Sequence, residues 1–389
     1  MRGWRTNGIA TAAAFGALGL LAACAREPAP SRPAMDLRAA LAGPAEGFAR
    51  AVAPPELEFP RDHGPHPEYR TEWWYWTGNV AADDGHAFGF ELVFFRQALA
   101  PPGTMPPRAA DLAADQVVLA HAAVTDVTGG AFHHAERTAR ADGVRAWLGR
   151  GAADPAPDLA CGDWTARASG KDLAAAPVQL RVTAADFAFA LDLLTEKPPV
   201  LQGDRGLSQK SAAPGNASCY YSMTALAATG TVTAGGREHA VRGRAWCDRE
   251  WGTSALGKDQ VGWDWFSLQL DGGQELMWYQ LRRSDGSVDP HSQGLWVRED
   301  ATTMRLLHGD ARAVPEGTWR AGDGRAEYPA RWRLAVPNLQ LELDVVPRLA
   351  DQELRTLVRY WEGSVAVTGT RAGAPIAGLG YLEMTGYAR

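Results

Sequence analysis

The sequence lacks several features that mark common classes of enzyme and binding protein. Its four cysteines, among 389 residues, form no CxxC pair, so their spacing indicates no zinc site. It contains no GxSxG, Walker A or GxGxxG motif, which argues against a serine hydrolase, an NTPase and a dinucleotide-dependent enzyme. The net charge is -6, and the basic residues form no stripe that would contact nucleic acid. The sequence therefore predicts no metal, no cofactor and no nucleic-acid partner.

Helical periodicity is also scarce after Val52. Apolar residues instead alternate with other residues over short runs, as at Phe88, Phe90 and Leu92, and turn signals such as Asp84-Gly85 separate these runs. Many short strands joined by tight turns are typical of a sandwich or barrel. We therefore predict an all-β fold.

The first 23 residues have the pattern of an export signal. Arg2 and Arg5 precede an apolar run over residues 9–20, which is too short to span a bilayer, and the sequence Leu-Ala-Ala-Cys follows and ends at Cys24. These four residues resemble the lipobox of bacterial lipoproteins. We expect cleavage before Cys24 and lipidation of its sulfur, which would anchor the protein to a membrane. Ala25, in place of an aspartate, points to the outer membrane, with the protein facing the periplasm.

The rest of the chain is long enough for two domains. Residues 24–58 are rich in alanine, proline and arginine and predict a tether with one short helix over residues 35–52. About 330 residues follow, roughly twice the length of an average domain. Two segments, 74–96 and 263–283, share an aromatic strand, an Asp-Gly turn and a return strand ending in arginine. This weak repeat predicts two barrel domains, over residues 59–251 and 252–389.

One polar segment interrupts the first predicted domain. Residues 197–218 are rich in proline and glycine, and a structureless loop of this length is usually functional or disordered. We predict a lid or strap over the mouth of the barrel.

Three cysteines remain after lipidation of Cys24. Cys161, Cys219 and Cys247 allow one disulfide and one free thiol in an oxidising compartment, and their spacing does not select the pair. At least one of them is expected to be a small buried apolar residue.

Tryptophan is concentrated in two places. Eight of the fifteen tryptophans lie within residues 73–76 and 246–278. Strand alternation sends Trp74 and Trp76 to one face, and Trp73 and Tyr75 to the other. Indole rings serve equally as core and as pocket walls, and this clustering favours a lined cavity. The predicted walls are Trp74, Trp76, Trp251, Trp263 and Trp265.

Charged residues lie between two indoles in the stretch Trp246–Trp251. Asp248, Arg249 and Glu250 would be desolvated there, and therefore paired or shifted in pKa. Either Asp248 or Glu250 is a buried proton donor, or the three groups form a structural ion pair at the domain junction. Alternation places Arg249 on the opposite face from both acids. Further residues that a strand pattern could turn toward the same site are Arg96, His121, Asp264, Tyr279 and Glu383.

In these motifs the sequence resembles the AttH and carotenoid 1,2-hydratase family of two-domain lipocalin-like proteins. The matching stretches follow one another in order: TEWWYWTGNV (71–80), FGFELVFFR (88–96), KPPVLQGDRGLSQK (197–210), WCDREWGTS (246–254), VGWDWFSLQLDGGQELMWYQLRR (261–283), YWEGSVAVTG (360–369) and GYLEMTGY (380–387). The resemblance implies two lipocalin-like domains with a ligand cavity near their junction.

The activity that this resemblance implies is divided. Some relatives hydrate acyclic carotenoids and fungal relatives fold polyenes for cycloaddition, but the hydratase branch carries a histidine where this chain has Arg249. We therefore expect first a lipid-anchored carrier of an apolar or amphipathic small molecule such as a lipid, polyene or pigment. The alternative is a hydratase-like (hydro-lyase) or cyclase-like (isomerase) enzyme that uses Asp248 or Glu250 as its acid. A third possibility is a structural or assembly factor without a cavity.

Overall fold

The computed structural model describes residues 43, 45–104, 115–149, 158–170, 177–253 and 256–388. The predicted export signal and Cys24 lie outside these residues. In the described part, the chain forms 23 strands and two short 3-10 helices, Arg61–His63 and Pro337–Leu339. The predicted all-β fold is thus confirmed, as one nearly closed barrel and one half-barrel. None of the helices in these residues is long and apolar enough to cross a membrane.

The first sheet contains thirteen strands within the described residues. They are β1 (Thr71–Ala81), β2 (Ala87–Ala98), β3 (Gln116–Asp126), β4 (Ala131–Arg140), β5 (Ala146–Leu148), β6 (Asp158–Cys161), β7 (Trp164–Ala168), β8 (Val178–Thr183), β9 (Phe187–Thr195), β10 (Val200–Leu201), β11 (Leu207–Gln209), β12 (Ala217–Ala234) and β13 (Arg237–Gly252). Their order in the sheet is β4-β3-β2-β1-β13-β12-β9-β8-β7-β6-β5, and β10 and β11 both pair with β12.

The second sheet contains ten strands in the part of the chain that the structure describes. They are β14 (Gln260–Leu270), β15 (Gln274–Arg283), β16 (Gln293–Val297), β17 (Thr303–Leu306), β18 (Arg312–Arg320), β19 (Glu327–Val336), β20 (Leu341–Pro347), β21 (Glu353–Arg355), β22 (Arg359–Arg371) and β23 (Ala374–Thr385). Their order is β17-β16-β15-β14-β23-β22-β20-β19-β18, with β21 beside β22. In each sheet the first strand lies between the second and the last, so the weak sequence repeat has a counterpart in the strand order.

The inner face of each sheet encloses its own apolar core. Trp74, Trp76 and Phe90 are at most 1% exposed inside the first sheet. Trp278 and Trp332 are equally buried inside the second sheet. Fully burying a large apolar side chain contributes roughly 1.5–3 kcal/mol, so these inner faces provide much of the stability of the fold.

The outer faces of the two sheets pack against each other. A third apolar cluster joins Tyr75, Val93 and Tyr220 of the first sheet to Trp265 and Met277 of the second. This junction positions the site described below.

A close approach between β2 and β22 holds the junction in place. A Cβ atom at Gly89 would lie only 2.7 Å from Cβ of Ser364, so only glycine fits there without a shift of the strands. Nearby, the Asn79 side-chain amide donates a hydrogen bond to the Gly380 carbonyl oxygen at 3.1 Å. The two sheets therefore meet in a packed and hydrogen-bonded interface.

The predicted tether differs from expectation where it is described. The helix expected over residues 35–52 lies mostly outside the described residues, and residues 45–52 contain turns and irregular chain instead of helix. Ala51 is 2% exposed and packs in the core of the first sheet. Two prolines follow at Pro54 and Pro55, and the residue before a proline disfavours helical backbone. This end of the predicted tether is therefore packed onto the first sheet.

Residues 197–218 are not a structureless loop. Val200–Leu201 and Leu207–Gln209 pair with β12. Lys197 Nζ lies 2.8 Å from Glu275 Oε2 of the second sheet. The segment is an ordered strap between the two sheets. Its strands are only two or three residues long, which is too short to show a period in the sequence.

The three described cysteines form no disulfide. Cys161, Cys219 and Cys247 are free and buried in the core of the first sheet. Burial raises the pKa of Cys161 and of Cys219 to about 11, so both stay protonated thiols. The disulfide that the cysteine count allowed is absent here, and all three act as small buried apolar residues.

Candidate functional site

A cavity of about 480 Å³ lies between the outer faces of the two sheets. This volume is in the range of small-molecule sites, roughly 300–1,000 Å³. One group of lining residues is apolar: Val93, Phe95, Leu99, Val117, Leu119, Leu281, Leu357 and Val358. A second group is aromatic or ionisable: Trp73, Tyr75, His121, Lys210, Tyr220, Asp248, Glu250, Trp263, Trp265, Tyr279, Tyr360, Glu362 and Glu383.

Asp248 is a buried carboxyl of this cavity and has no cationic partner among the described residues. It is 6% exposed and accepts hydrogen bonds from Tyr220 Oη at 2.5 Å, Ser222 Oγ at 2.5 Å and Trp246 Nε1 at 2.7 Å. Burial raises the pKa of Asp248 to about 7, although these three donors favour its ionised form. A carboxyl with this pKa can both give and accept a proton at neutral pH.

Glu250 lies two residues further along the same face of β13 and is ion-paired. Lys210 Nζ is 2.9 Å from Glu250 Oε1, and Ser218 donates a hydrogen bond to the same oxygen. Burial lowers the pKa of Lys210, but Glu250 and Tyr279 outweigh burial and the net shift is upward. The ammonium therefore stays charged, and the two predicted acids have different surroundings.

Glu362 and Glu383 add two more carboxyls from the second sheet. They are direct partners on β22 and β23. Tyr75 donates a hydrogen bond to Glu362, and Trp263 Nε1 donates to Glu383 Oε2 at 2.8 Å. Burial and the neighbouring Glu383 raise the pKa of Glu362 well above its usual range, and burial raises that of Glu383 to about 7. Two buried carboxyls this close cannot both remain ionised, so the pair holds at least one proton near neutral pH.

A row of polar side chains runs beside the cavity from β2 to the edge strand β4. Tyr360 Oη lies 3.2 Å from Glu91 Oε1 and 2.7 Å from His121 Nδ1. His121 Nε2 lies 3.0 Å from Glu136 Oε2. Burial and the nearby Glu383 raise the pKa of Glu91 to about 8.

Arg249 points to the inner face of β13, away from Asp248 and Glu250. Its guanidinium donates to Glu72 Oε1 at 2.9 Å and lies 4.0 Å from the centre of the Trp74 ring. The predicted opposite face is thus observed, but the ion pair lies inside the first sheet and not at the domain junction. Arg249 faces inward because β13 continues the alternation of buried Cys247 and Trp251.

Glu72 is the centre of this inner charged cluster. Besides Arg249, it contacts Arg96 Nε at 3.2 Å and His66 Nδ1 at 2.8 Å. Burial raises the pKa of Glu72, but His66 and Arg249 outweigh burial and lower it to about 2. The inner cluster is therefore a network of paired charges. Because it holds Arg249 on the inner face, this arginine does not pair with Asp248.

The structure brings part of the predicted site together. The predicted residues that line the cavity are Asp248, Glu250, His121, Trp263, Trp265 and Tyr279, together with Glu383. The predicted residues that lie instead on the inner sides of the sheets are Trp74, Trp76, Arg96, Trp251 and Asp264. Alternation correctly separates the faces of a strand, but it does not say which face meets the cavity. Both faces of β1 are aromatic, and Trp73 and Tyr75 are the pair that lines the cavity.

Sequence reasoning missed several lining residues. Trp73 and Tyr75 lie opposite Glu250 and Asp248 in the register of β1 with β13. The alternation of the two strands, taken together, therefore indicated that all four side chains share one face of the sheet. Glu362 follows Trp361 in β22, so strand alternation also predicts that the two side chains point to opposite faces. Lys210 had no sequence signal, because the strap that carries it shows no periodicity.

Two sheets of matching strand order, with a carboxyl-lined cavity between them, define a two-domain lipocalin-like protein. The family model described as AttH-like matches residues 50–387, and the chain belongs to this family. The resemblance seen in the sequence is thereby confirmed. No curated protein matches the sequence significantly.

Solved structures share the fold. An AttH candidate from Nitrosomonas europaea is 34% identical, with a TM-score of 0.76 over 88% of this chain and 100% of that one. Kievitone hydratase from Nectria haematococca is 14% identical, with a TM-score of 0.67 over 87% and 95% of the two chains. CghA crystallised with Sch210972 is 15% identical, with a TM-score of 0.51 over 89% and 97%. At such low identity, the last two similarities concern the fold alone.

Proposed function

We propose that this protein is a hydratase-like or cyclase-like acid catalyst that acts on an apolar, unsaturated small molecule. The observation that carries the proposal is Asp248, a buried carboxyl with a pKa of about 7 that faces a largely aromatic cavity and has no cationic partner in the described part of the chain. A carrier needs apolar walls but not an unpaired buried acid, whose desolvation destabilises the fold. Kievitone hydratase, an enzyme named for hydration, shares this fold, so the fold can carry this class of chemistry.

In the proposed reaction, Asp248 transfers its proton to one carbon of a substrate double bond. A carbon–hydrogen bond forms, the carboxyl becomes a carboxylate, and a carbocation remains on the substrate. Nearby indole faces of Trp73 and Trp265 stabilise this cation by cation–π attraction. In a hydratase, water adds to the cation and loses a proton to a carboxylate. In a cyclase, a second double bond of the substrate attacks the cation and forms a carbon–carbon bond, and the new cation then loses a proton to a carboxylate as a double bond forms.

The hydrogen bonds around Asp248 suit this role. Tyr220, Ser222 and Trp246 all donate to its carboxylate. They stabilise the ion that remains after proton transfer, and burial favours the return of the proton. These opposing effects keep the carboxyl close to the pKa that a general acid needs at neutral pH.

The carrier expected from the sequence is the second candidate. The observation that favours it is the apolar part of the cavity lining, which would hold a ligand without any reaction. A structural factor has less support, because the cavity exceeds the roughly 300 Å³ that small-molecule sites require.

Asp248→Asn tests the catalytic proposal. The full-length protein is incubated with acyclic polyenes in deuterated water, and mass spectrometry detects products that gain one water or isomers with carbon-bound deuterium. Asp248→Asn should lower product formation by about 10²–10⁴-fold, yet still bind an apolar fluorescent dye. Asp192→Asn, at a half-exposed aspartate of the same sheet that pairs with Arg181, is the matched control. Full turnover by Asp248→Asn contradicts the proposal, and dye binding by the wild-type protein without product from any polyene favours the carrier.

We also propose that the protein is exported and anchored through a lipid on Cys24, on the strength of the N-terminal sequence pattern. Lipidation requires the thiol, so Cys24→Ser should leave an uncleaved form that incorporates no labelled palmitate. Normal processing and membrane retention of that variant would refute the anchor.

A further inference from the structure

Four side chains connect the interior of the junction to the edge of the first sheet, and the reaction proposed above does not use them. They are Glu91 on β2, Tyr360 on β22, His121 on β3 and Glu136 on β4. Successive polar atoms are 3.2, 2.7 and 3.0 Å apart. Glu91 is fully buried, whereas the Glu136 side chain is 24% exposed. The row therefore leads from the protein interior toward solvent.

Glu91 has the surroundings of a proton-holding group. Its Oε2 is buried and has no hydrogen-bond partner among the described residues. The titratable groups that act on it are Glu383 and Tyr381 of β23 and Tyr360 of β22, and none of them is a cation. An ionised carboxylate in this place would be neither paired nor solvated, so the protonated form is favoured.

We propose that Glu91, Tyr360, His121 and Glu136 form a proton relay between solvent and the buried end of the junction cavity. In one state, protonated Glu91 donates to the Tyr360 oxygen, Tyr360 donates to His121 Nδ1, and His121 Nε2–H donates to Glu136. In the other state, Glu91 is a carboxylate that accepts from Tyr360, and His121 is an imidazolium beside Glu136.

Two proton transfers interconvert these states. The Glu91 O–H bond breaks as a new O–H bond forms on Tyr360, and the former Tyr360 proton becomes the Nδ1–H of His121. One positive charge thus moves between Glu91 and His121, and no heavy atom has to leave its place. The imidazolium then exchanges its proton with solvent beside Glu136, at the edge of the sheet. No oxidant or further reactant is needed.

The use of this relay rests on the proposed function. Addition of water through a carbocation leaves Asp248 ionised, and when the proton that the water loses goes to another cavity carboxylate such as Glu383, protons must be redistributed before the next turnover. Apolar walls limit bulk water in the cavity. Because His121 and Tyr360 themselves line the cavity, the relay reaches the reaction site directly.

Hydrogen–deuterium exchange of the buried carboxyl tests the relay without a substrate. Infrared spectra of the full-length protein at neutral pH should contain a carbonyl band of a protonated carboxyl that Glu91→Gln removes. In deuterated water this band shifts as its proton exchanges. Tyr360→Phe should slow the shift by about 10²-fold, because a phenyl ring cannot pass a proton.

The matched control is Tyr279→Phe. This tyrosine lines the same cavity but bonds to Ser208 and Gln293, outside the row, so its removal should leave the exchange rate unchanged. If Tyr360→Phe does not fold, His121→Gln interrupts the row at its next member and should show the same slowing.

Two results would overturn the relay. One is an exchange rate of Tyr360→Phe or His121→Gln equal to that of the wild type, and the other is the absence of any band that depends on Glu91. Either result leaves the role of Asp248 intact, since the turnover of Asp248→Asn tests that role separately. Conversely, normal turnover of Asp248→Asn would refute the reaction while the exchange measurement still decides the relay.

Discussion

Two consecutive residues of β13, Asp248 and Arg249, are buried on opposite faces of the strand, and within the described chain only Arg249 belongs to an ion pair. On the inner face, Arg249 pairs with Glu72, whose pKa is lowered to about 2. On the outer face, Asp248 has three hydrogen-bond donors but no cation among the residues that the structure describes, and burial raises its pKa to about 7. Both carboxyls are buried, so the difference comes from their partners. Paired charges hold the fold together on the inner face, whereas an unpaired acid keeps a proton available on the outer face.

Removing the inner cation should have the largest effect. Arg249→Ala leaves Glu72 buried with fewer partners, and breaking a buried ion pair from one side destabilises proteins by about 3–5 kcal/mol. We expect that loss in the free energy of unfolding measured with denaturant, while the folded protein still binds an apolar dye. Arg244→Ala, at a half-exposed arginine of the same strand, should have little effect. Equal stability of the two variants would contradict the conclusion that the ion pair on the inner face stabilises the fold.

Asp248, the acid on the outer face of β13, should make the stability of the protein depend on pH. The pKa of Asp248 is about 7 in the folded protein and near 3.8 when unperturbed. Because folding raises this pKa, the protonated form is favoured, and stability declines as pH rises from about 4 through 7. Asparagine cannot ionise, so as the pH rises from 5 to 8 the free energy of unfolding of Asp248→Asn should increase by about 3 kcal/mol relative to that of the wild type.

Chemical denaturation at several pH values measures this difference. Asp192→Asn removes a half-exposed carboxyl and should follow the wild-type curve. If the curves of Asp248→Asn and the wild type stay parallel from pH 5 to 8, the outer carboxyl is not the perturbed acid that the comparison requires.

The smallest effect on stability is expected at Trp73, the tryptophan of β1 that faces the cavity. Trp73 lines the cavity and is only partly buried, so Trp73→Leu should destabilise the protein by about 1 kcal/mol or less. It should weaken binding of an apolar dye measurably. Trp74→Leu, one residue away and fully buried in the core, should do the reverse, with a larger loss of stability and unchanged dye affinity. If both variants change stability and dye binding alike, then the inner face does not serve mainly the fold, nor the outer face mainly the site.

Local pattern was sufficient to predict the strands and their two faces. The alternation of apolar residues predicted the all-β fold, and the same alternation placed Arg249 opposite Asp248 and Glu250 before any coordinates. These features depend on neighbours along one strand, where successive side chains must point to opposite sides. The family could also be recognised, because its motifs follow one another in sequence over most of the chain.

Which face carries the site was decided only by tertiary structure. Trp74 and Trp76 looked as suitable for a pocket as Trp73 and Tyr75, and only the packing of one sheet on the other turned the second pair toward the cavity. Glu362 became a site residue because Tyr75, 287 positions away in sequence, donates a hydrogen bond to it across the junction. A period of two residues separates the faces of a strand, but the partner of each face is set by contacts between distant segments, and those contacts also decide which buried acids find a cation.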